Sequence, residues 1–389
     1  MAKDRVYEFS APGRVEIGGN HTDHQHGRVL AAAIDLTTNA SVCKNDDEVI
    51  RVFSQGYDPV EVYIHDLELH EAEKNTTVAL VRGVSAAFVQ RGCPIGGFDA
   101  RISSTVLPGS GLCSFDAYTT SNVLKGSGLS SSAAFEVLMG LIINGLYFEN
   151  RLSPVEIAQI GQYAENVYFG KPCGLMDQTA SSVGGMVYID FKNTQAPIVE
   201  RAEYDFDGCG YTLCIVDSGA DHAGLTKSYA AIPEELHRVC GVFSKEYLRD
   251  VDEAEFYRRL PEVRAAAGDR AVLRAMHIFD DNRRVTEQTE ALRSGHFDSF
   301  LRLVNESGES SWKYLQNVIP SGSSEHQEMA FAIALCKKLL NGRGAVRVHG
   351  GGFAGTVLAF VPNGEFEAFK GRLESILGSG CCHRLRIME

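Results

Sequence analysis

The hydrophobic and polar positions change period repeatedly along the chain, and each change marks an element. Residues 6–9 alternate weakly and predict a first strand. Residues 29–41 are apolar and threonine-rich, with Ala31, Ala32, Ala33 and Ile34 in succession, and read as strand with turns. The alternating runs 48–53 and 60–64 predict antiparallel strands. From 75 to 90 the apolar residues Val78, Val81, Val84, Ala87 and Phe88 recur at helical spacing, and Gly92 follows as a stop. The apolar run 133–143 reads as a buried helix. Ser153-Pro154-Val155-Glu156 supplies a cap, a proline at the first helical position and a glutamate at the third, which predicts a helix from there to residue 168. Strands are expected at 186–191, 211–217, 357–361 and 384–388. Two or three charged helices are expected within 243–293, and further helices at 325–340 and 366–377. A polar link at 193–207 separates two domains, 1–192 and 193–389. The pattern itself yields mixed α/β content in two domains and no more.

Composition narrows the partners. The chain has 389 residues, 44% of them hydrophobic, which is enough for two proper cores. The net charge is −13 with no long basic run, which argues against a nucleic-acid surface and against an anionic membrane. An acidic protein that binds an anion must do so with local cations, backbone N–H groups or a metal. The first residues lead into no apolar signal core, and no apolar stretch reaches the length of a membrane span. Ten cysteines are scattered without Cys-x-x-Cys spacing, as expected of thiols in a reducing cytoplasm rather than of a zinc site.

The most informative stretch is Lys125-Gly126-Ser127-Gly128-Leu129-Ser130-Ser131-Ser132-Ala133-Ala134, which opens the apolar helix. Glycines let backbone approach a ligand closely, and the unpaired N–H groups at a helix start favour an anion. Glycines, hydroxyls and a helix start together suit a phosphate. The bland alternative is a serine-rich helix cap. The stretch closes a tandem duplication: residues 98–114 and 115–131 are identical at eleven of seventeen positions. Only the second copy runs on into the helix, so it is the expected phosphate loop. The first copy reads as an inserted strand or extended loop on the nucleotide side.

Two further loops carry polar chemistry. Residues 11–27 hold one proline, several glycines and His21, His24 and His26, and read as a loop throughout. These histidines lack a carboxylate or cysteine at ligand spacing, so a metal site is not expected, and hydrogen bonding to a polyol fits better. Gly350-Gly351-Gly352-Phe353-Ala354-Gly355 places backbone close to something, either a ligand or its own hairpin.

These stretches resemble, in order, the three motifs of the GHMP sugar and metabolite kinases, and within them the galactokinase family. The likeness spans almost the whole chain. It implies an α+β, two-domain GHMP kinase fold with a left-handed βαβ unit and the active site in the interdomain cleft. The implied reaction is ATP- and Mg²⁺-dependent phosphorylation of the C1 hydroxyl of galactose. Asp177, in Pro172-Cys173-Gly174-Leu175-Met176-Asp177-Gln178, falls on the catalytic base and Arg14 on the catalytic arginine. Lys125, Gly126, Ser127, Gly128, Leu129, Ser130, Ser131 and Ser132 would cradle the phosphates, while Ser132 and Glu165 would hold Mg²⁺ through hard oxygens. His21, Asp23, Tyr229 and Gly351 fall on sugar contacts.

The first motif departs from the family. Glu16 replaces Asn, Gly18 replaces Ile, His24 replaces Tyr, and Asn20 replaces the glutamate that contacts the C6 hydroxyl. Asp221 stands where many members have Arg. A neutral amide at residue 20 could meet an ordinary hydroxymethyl or tolerate a 6-carboxylate, which keeps a galacturonokinase open. Relatives that sense sugar and ATP without turnover lose residues from the serine run, which is complete here. The His21-x-Asp23 pair argues against a mevalonate or homoserine kinase. The expected partners are a sugar and ATP, with the chain a monomer or weak homodimer.

Overall fold

The computed structural model describes residues 5–54, 58–105, 129–171, 173–206, 208–221 and 224–388. Most of the duplicated segment, with Lys125, Gly126, Ser127 and Gly128, lies outside them. The first sheet holds β1 (Tyr7–Gly18), β2 (Arg28–Lys44), β3 (Val49–Ser54), β4 (Val60–Tyr63), β5 (Phe98–Ser104), β6 (Met186–Asp190) and β7 (Ile198–Arg201), in the order β4-β3-β5-β2-β6-β7 with β1 paired to β2. The long β2 organises it. One edge carries β1, and the other pairs with β6 at residues 28–32 and with β5 at residues 38–44. Pairing is antiparallel except between β3 and β5, which are parallel and are joined through β4 and a crossover helix.

That crossover is α1 (Thr77–Gln90), capped by the Thr76 side chain. It packs with α2 (Ser131–Tyr147) and α3 (Pro154–Tyr163) over a core that includes Val81, Val84, Phe88, Phe98, Phe135, Leu138 and Ile142. Ser153 and Glu156 form the expected capping box on α3. The chain then departs from the expectation of one helix to residue 168: Ala164–Phe169 is a π-helical turn, ended by Gly170 in the left-handed region. Helix α4 (Met176–Val183) follows.

The second sheet, in the order β11-β8-β10-β9, holds β8 (Tyr211–Asp217), β9 (Ala345–Val348), β10 (Thr356–Pro362) and β11 (Cys382–Leu385). Around it lie α5 (Thr226–Val242), α6 (Glu253–Arg258), α7 (Leu260–Ala267), α8 (Asp269–Arg293), α9 (Phe297–Ser310), α10 (Glu328–Leu340) and α11 (Phe366–Leu377). A second π-helical turn, Ser311–Leu315, extends α9.

Two expectations need correction. Residues 11–18, read as loop, continue β1. Pro12 and Gly18 sit at register shifts, where a strand tolerates them. Residues 193–207, read as a polar link at the domain boundary, carry β7, so the first sheet continues past residue 192. The last residues also return to it: Met388 N–H donates to Ala33 O at 3.0 Å and Gly185 N–H to Met388 O at 2.6 Å. One core joins the two sheets through Val15, Ile17 and Leu30 on one side and Ile215, Phe300 and Leu358 on the other. No helix among the described residues is long and apolar enough to cross a membrane.

Candidate active site

The site forms where β1, the start of α2, the turn before α4 and the glycine loop after β9 meet. Arg14, on β1, is buried and grips Asp177, at the start of α4, with two parallel hydrogen bonds: Nε to Oδ1 at 2.7 Å and Nη2 to Oδ2 at 2.8 Å. Such a bidentate fork fixes both planes at once. Ser130 adds a hydroxyl bond to Asp177 Oδ2. It can do so because Ser130 is held at φ 55°, a left-handed conformation that a serine adopts at a cost. Burial pushes the Asp177 carboxyl up. The charge and hydrogen bonds of Arg14, with Ser130 and Lys171, outweigh this and leave it below the usual carboxylate range. About a third of the Asp177 side chain stays accessible, 32%.

Two adjoining cavities share this pair. One, of about 220 Å³, has Ser130, Ser131, Ser132 and Glu165 on its walls, with Tyr229 and the 350–356 loop opposite. The other, of about 200 Å³, is lined by Glu16, His21, Asp23, His24, Gly174 and Met176. Arg14, Asp177, Lys171, Cys173, Gly350 and Gly351 line both. The first cavity has the helix start and hydroxyls that suit phosphate; the second has the mixed donors and acceptors that suit a polyol.

Ser132 and Glu165 lie together, Oγ to Oε1 at 3.5 Å. Two hard oxygens at that separation can share one small cation, and Mg²⁺ takes few protein ligands. Among the described residues no group of three or more His, Cys, Asp or Glu side chains could hold a metal. The Glu165 carboxylate is held from behind. Gln178 Nε2 donates to Glu165 Oε2 at 3.0 Å and to Glu136 Oε2 at 2.9 Å. Burial, followed by the charge of Glu165, pushes the Glu136 carboxyl well above its ordinary range.

His21 and Asp23 both reach the polyol side. His21 Nε2 donates to Gly351 O at 3.0 Å, and burial with the neighbouring His24 pushes its imidazole down to about 4, so it is neutral. Asp23 packs over Gly174, where an added Cβ would lie 2.2 Å from Asp23 Oδ2. Tyr229 lines the phosphate side, its hydroxyl donating to Gly352 O at 2.8 Å. Gly351 lines both cavities.

Asn20 does not behave as a sugar contact. It is 0% exposed and makes six hydrogen bonds within the protein. Its Nδ2 donates to Glu16 Oε1 at 2.9 Å and Gly350 O at 2.7 Å, and its Oδ1 accepts from Ser311 Oγ at 3.1 Å and Asn317 Nδ2 at 2.8 Å. Its backbone N–H donates to Asp281 Oδ2 at 2.8 Å, and its carbonyl accepts from His277 Nε2 at 3.0 Å. Nothing remains for a ligand. Asn20 instead ties the first loop to α8, the second π-turn and the glycine loop. Glu16 joins the same network through Arg347 Nη2 at 2.5 Å.

Sequence reasoning missed Lys171, Gly174, Glu136 and Gln178 as parts of the site, and took Ser130 for a phosphate contact without its bond to Asp177. The Lys171 ammonium, next to Gly170 and two residues before the cavity-lining Cys173, was the available signal.

Two family models match the chain: GHMP kinases N terminal domain over residues 110–185 and Galactokinase galactose-binding signature over residues 2–44. The galactokinase of Glaesserella parasuis serovar 5 (strain SH0165) is 31% identical over 371 residues, covering 92% of this chain and 86% of that protein. The galactokinase of Actinobacillus pleuropneumoniae serotype 5b (strain L20) is 32% identical over 365 residues, covering 92% and 85%. The structure of Lactococcus lactis galactokinase complexed with galactose matches with a TM-score of 0.79 at 22% identity, over 100% of this chain and 95% of that one. Methanococcus jannaschii mevalonate kinase matches with a TM-score of 0.66 at 14% identity over 100% of both chains. The solved structures establish the GHMP kinase fold and the sequence relatives the narrower group: the chain belongs to the galactokinase family.

Proposed function

We propose that this chain phosphorylates the anomeric C1 hydroxyl of galactose with ATP, giving galactose 1-phosphate and ADP. The observation that carries the reading is the Arg14–Asp177 fork on the wall shared by the phosphate-suited and polyol-suited cavities. In phosphoryl transfer the protein mainly positions the reactants and neutralises charge. Asp177 orients the C1 hydroxyl and accepts its proton. The O1–Pγ bond forms as the bond from Pγ to the β,γ-bridging oxygen breaks, and ADP leaves. A carboxylate held below its usual range is a weak base, so the proton moves as the O1–P bond raises the acidity of that oxygen, not before. Arg14 locks the orientation of Asp177 and sets positive charge beside the forming bond. Asp23 and His21, the latter as a neutral donor–acceptor, hold sugar hydroxyls. Ser132 and Glu165 would hold Mg²⁺, which would supply positive charge to neutralise the phosphates. The Ser131 and Ser132 hydroxyls and the α2 N-terminus face the phosphates, while Ser130 holds Asp177.

The test is ADP release from purified protein with Mg-ATP and a panel of galactose, galacturonate, glucose, N-acetylgalactosamine and arabinose. Turnover of galactose well above the others is expected. Preference for galacturonate would assign a different sugar-1-kinase. ATP binding without turnover of any sugar would favour a sensor.

A further inference from the structure

The charge on the shared wall is incompletely used by this mechanism. Among the described residues lining the two cavities, Arg14 and Lys171 are the only arginine or lysine side chains. Arg14 is locked to Asp177 through both oxygens, so part of its charge is offset by that carboxylate. Lys171 is placed differently. Gly170 ends the π-turn at φ +85°, which turns the chain so that Lys171 N–H donates to Glu165 O at 3.1 Å. The side chain then folds back, with Nζ 3.3 Å from Glu165 Oε1, the same oxygen that approaches Ser132. The ammonium therefore stands beside the pair that would hold the metal and on the wall it shares with Asp177. It keeps 41% of its side chain accessible.

We propose that Lys171 is a catalytic residue of this kinase, its ammonium contacting the γ-phosphoryl group as it passes from the ATP side to the sugar oxygen. The inference rests on the kinase reading above. In the transition state, charge accumulates on the equatorial oxygens of that phosphoryl, where a fixed cation in a confined site acts most strongly. Lys171 takes no proton and forms no bond; it stabilises charge that the ground state holds further away.

The experiment compares the parent with Lys171→Met and Lys171→Arg. Steady-state kinetics with galactose and Mg-ATP are paired with calorimetric binding of galactose alone and of MgADP–aluminium fluoride in the presence of galactose, a mimic of the planar phosphoryl. Lys171→Met is expected to lower kcat on the order of 100-fold. It should weaken the aluminium fluoride complex to a similar degree and leave galactose binding unchanged. Lys171→Arg, which keeps the charge, should recover most of both. Because the position lies on a half-exposed turn, an unchanged thermal midpoint separates this from misfolding, and Lys171→Gln repeats the test if the Met variant unfolds. A Met variant with kcat and aluminium fluoride binding like the parent overturns the role. So does a loss confined to galactose affinity, which would make Lys171 a sugar contact. A parent that does not turn over galactose sinks the kinase reading itself, so the two failures are distinguishable.

Discussion

Replacing Asn20 by Asp changes one side-chain atom from donor to acceptor, and the buried network gives that change a definite size. In the parent, Nδ2 supplies two donors, to Glu16 Oε1 at 2.9 Å and Gly350 O at 2.7 Å. An aspartate puts oxygen against oxygen at both contacts, with a carboxylate beside the Glu16 carboxylate and no water to screen them. Protonating the new group restores at most one donor. Losing two hydrogen bonds and leaving buried acceptors unpaired costs about 3–5 kcal/mol, the range found when one partner of a buried charged or hydrogen-bonded set is removed. A chain this long has an unfolding entropy on the order of 0.8 kcal/mol/K, so the thermal midpoint should fall by about 5 °C. Differential scanning calorimetry measures it directly. Galactose KM should rise as well, because Asn20 holds the first loop against Gly350 and the neighbouring His21 hydrogen-bonds to Gly351. Asn20→Glu should fail for the same reason, its longer carboxylate finding no space at a fully buried site. Two results would refute the reasoning. One is an Asp variant whose midpoint stays within about 1 °C of the parent. The other is a Glu variant that uses galactose better, which would put residue 20 in the sugar pocket after all.

Three other outcomes follow from the same geometry. Asp177→Asn removes the proton acceptor and half of the Arg14 fork, and kcat should fall on the order of 1,000-fold while galactose binding persists; single-turnover ADP release checks it. Gly174→Ala drives a methyl group into Asp23 Oδ2, so kcat/KM for galactose should fall about 10- to 100-fold with a stable fold, which steady-state kinetics and the thermal midpoint together resolve. Because His21 is held near 4 against an ordinary 6.5, the folded protein binds fewer protons there than the unfolded chain. Its contribution to stability is complete above 6.5 and lost as pH falls toward about 4. Thermal midpoints of the parent should therefore fall more steeply over that window than those of His21→Gln, and equal slopes would contradict the depressed value.

Much of the fold was legible because its helices are amphipathic or buried runs with readable ends. The capping box at Ser153 and the stop at residue 92 are local chemistry that tertiary context left alone. The catalytic candidates were legible for another reason. Arg14, Asp177, Ser132 and Glu165 were picked out by their resemblance to the family motifs, and the fold brings them together. What could not be read depended on burial from both sides. β1 shows no alternation after Gly13 because the first-sheet helices cover one face and the second half of the chain covers the other. Its glycines and proline then look like loop punctuation. The π-turn at Ala164–Phe169 preserves helical spacing until its end, so the sequence gives no sign that Glu165 sits on a widened turn.

Asn20 shows why neighbours in a signature need not share a role. His21 adopts φ 61° and turns the chain at that point, so Asn20 faces α8 and Asn317 while His21 and Asp23 face the cavity. A loop read in one dimension offers four polar residues of similar chemistry to one ligand. In three dimensions it divides them. One set meets the cavity, and the other, Asn20 with Thr22 bonded to Gly19 O and Arg28 O, holds the loop closed. Replacing a family carboxylate at residue 20 therefore alters what fastens the first loop to the second half of the chain. The consequence for sugar choice runs through the position of His21 and Asp23, which is why the sugar panel and the Asn20 variants must be measured together.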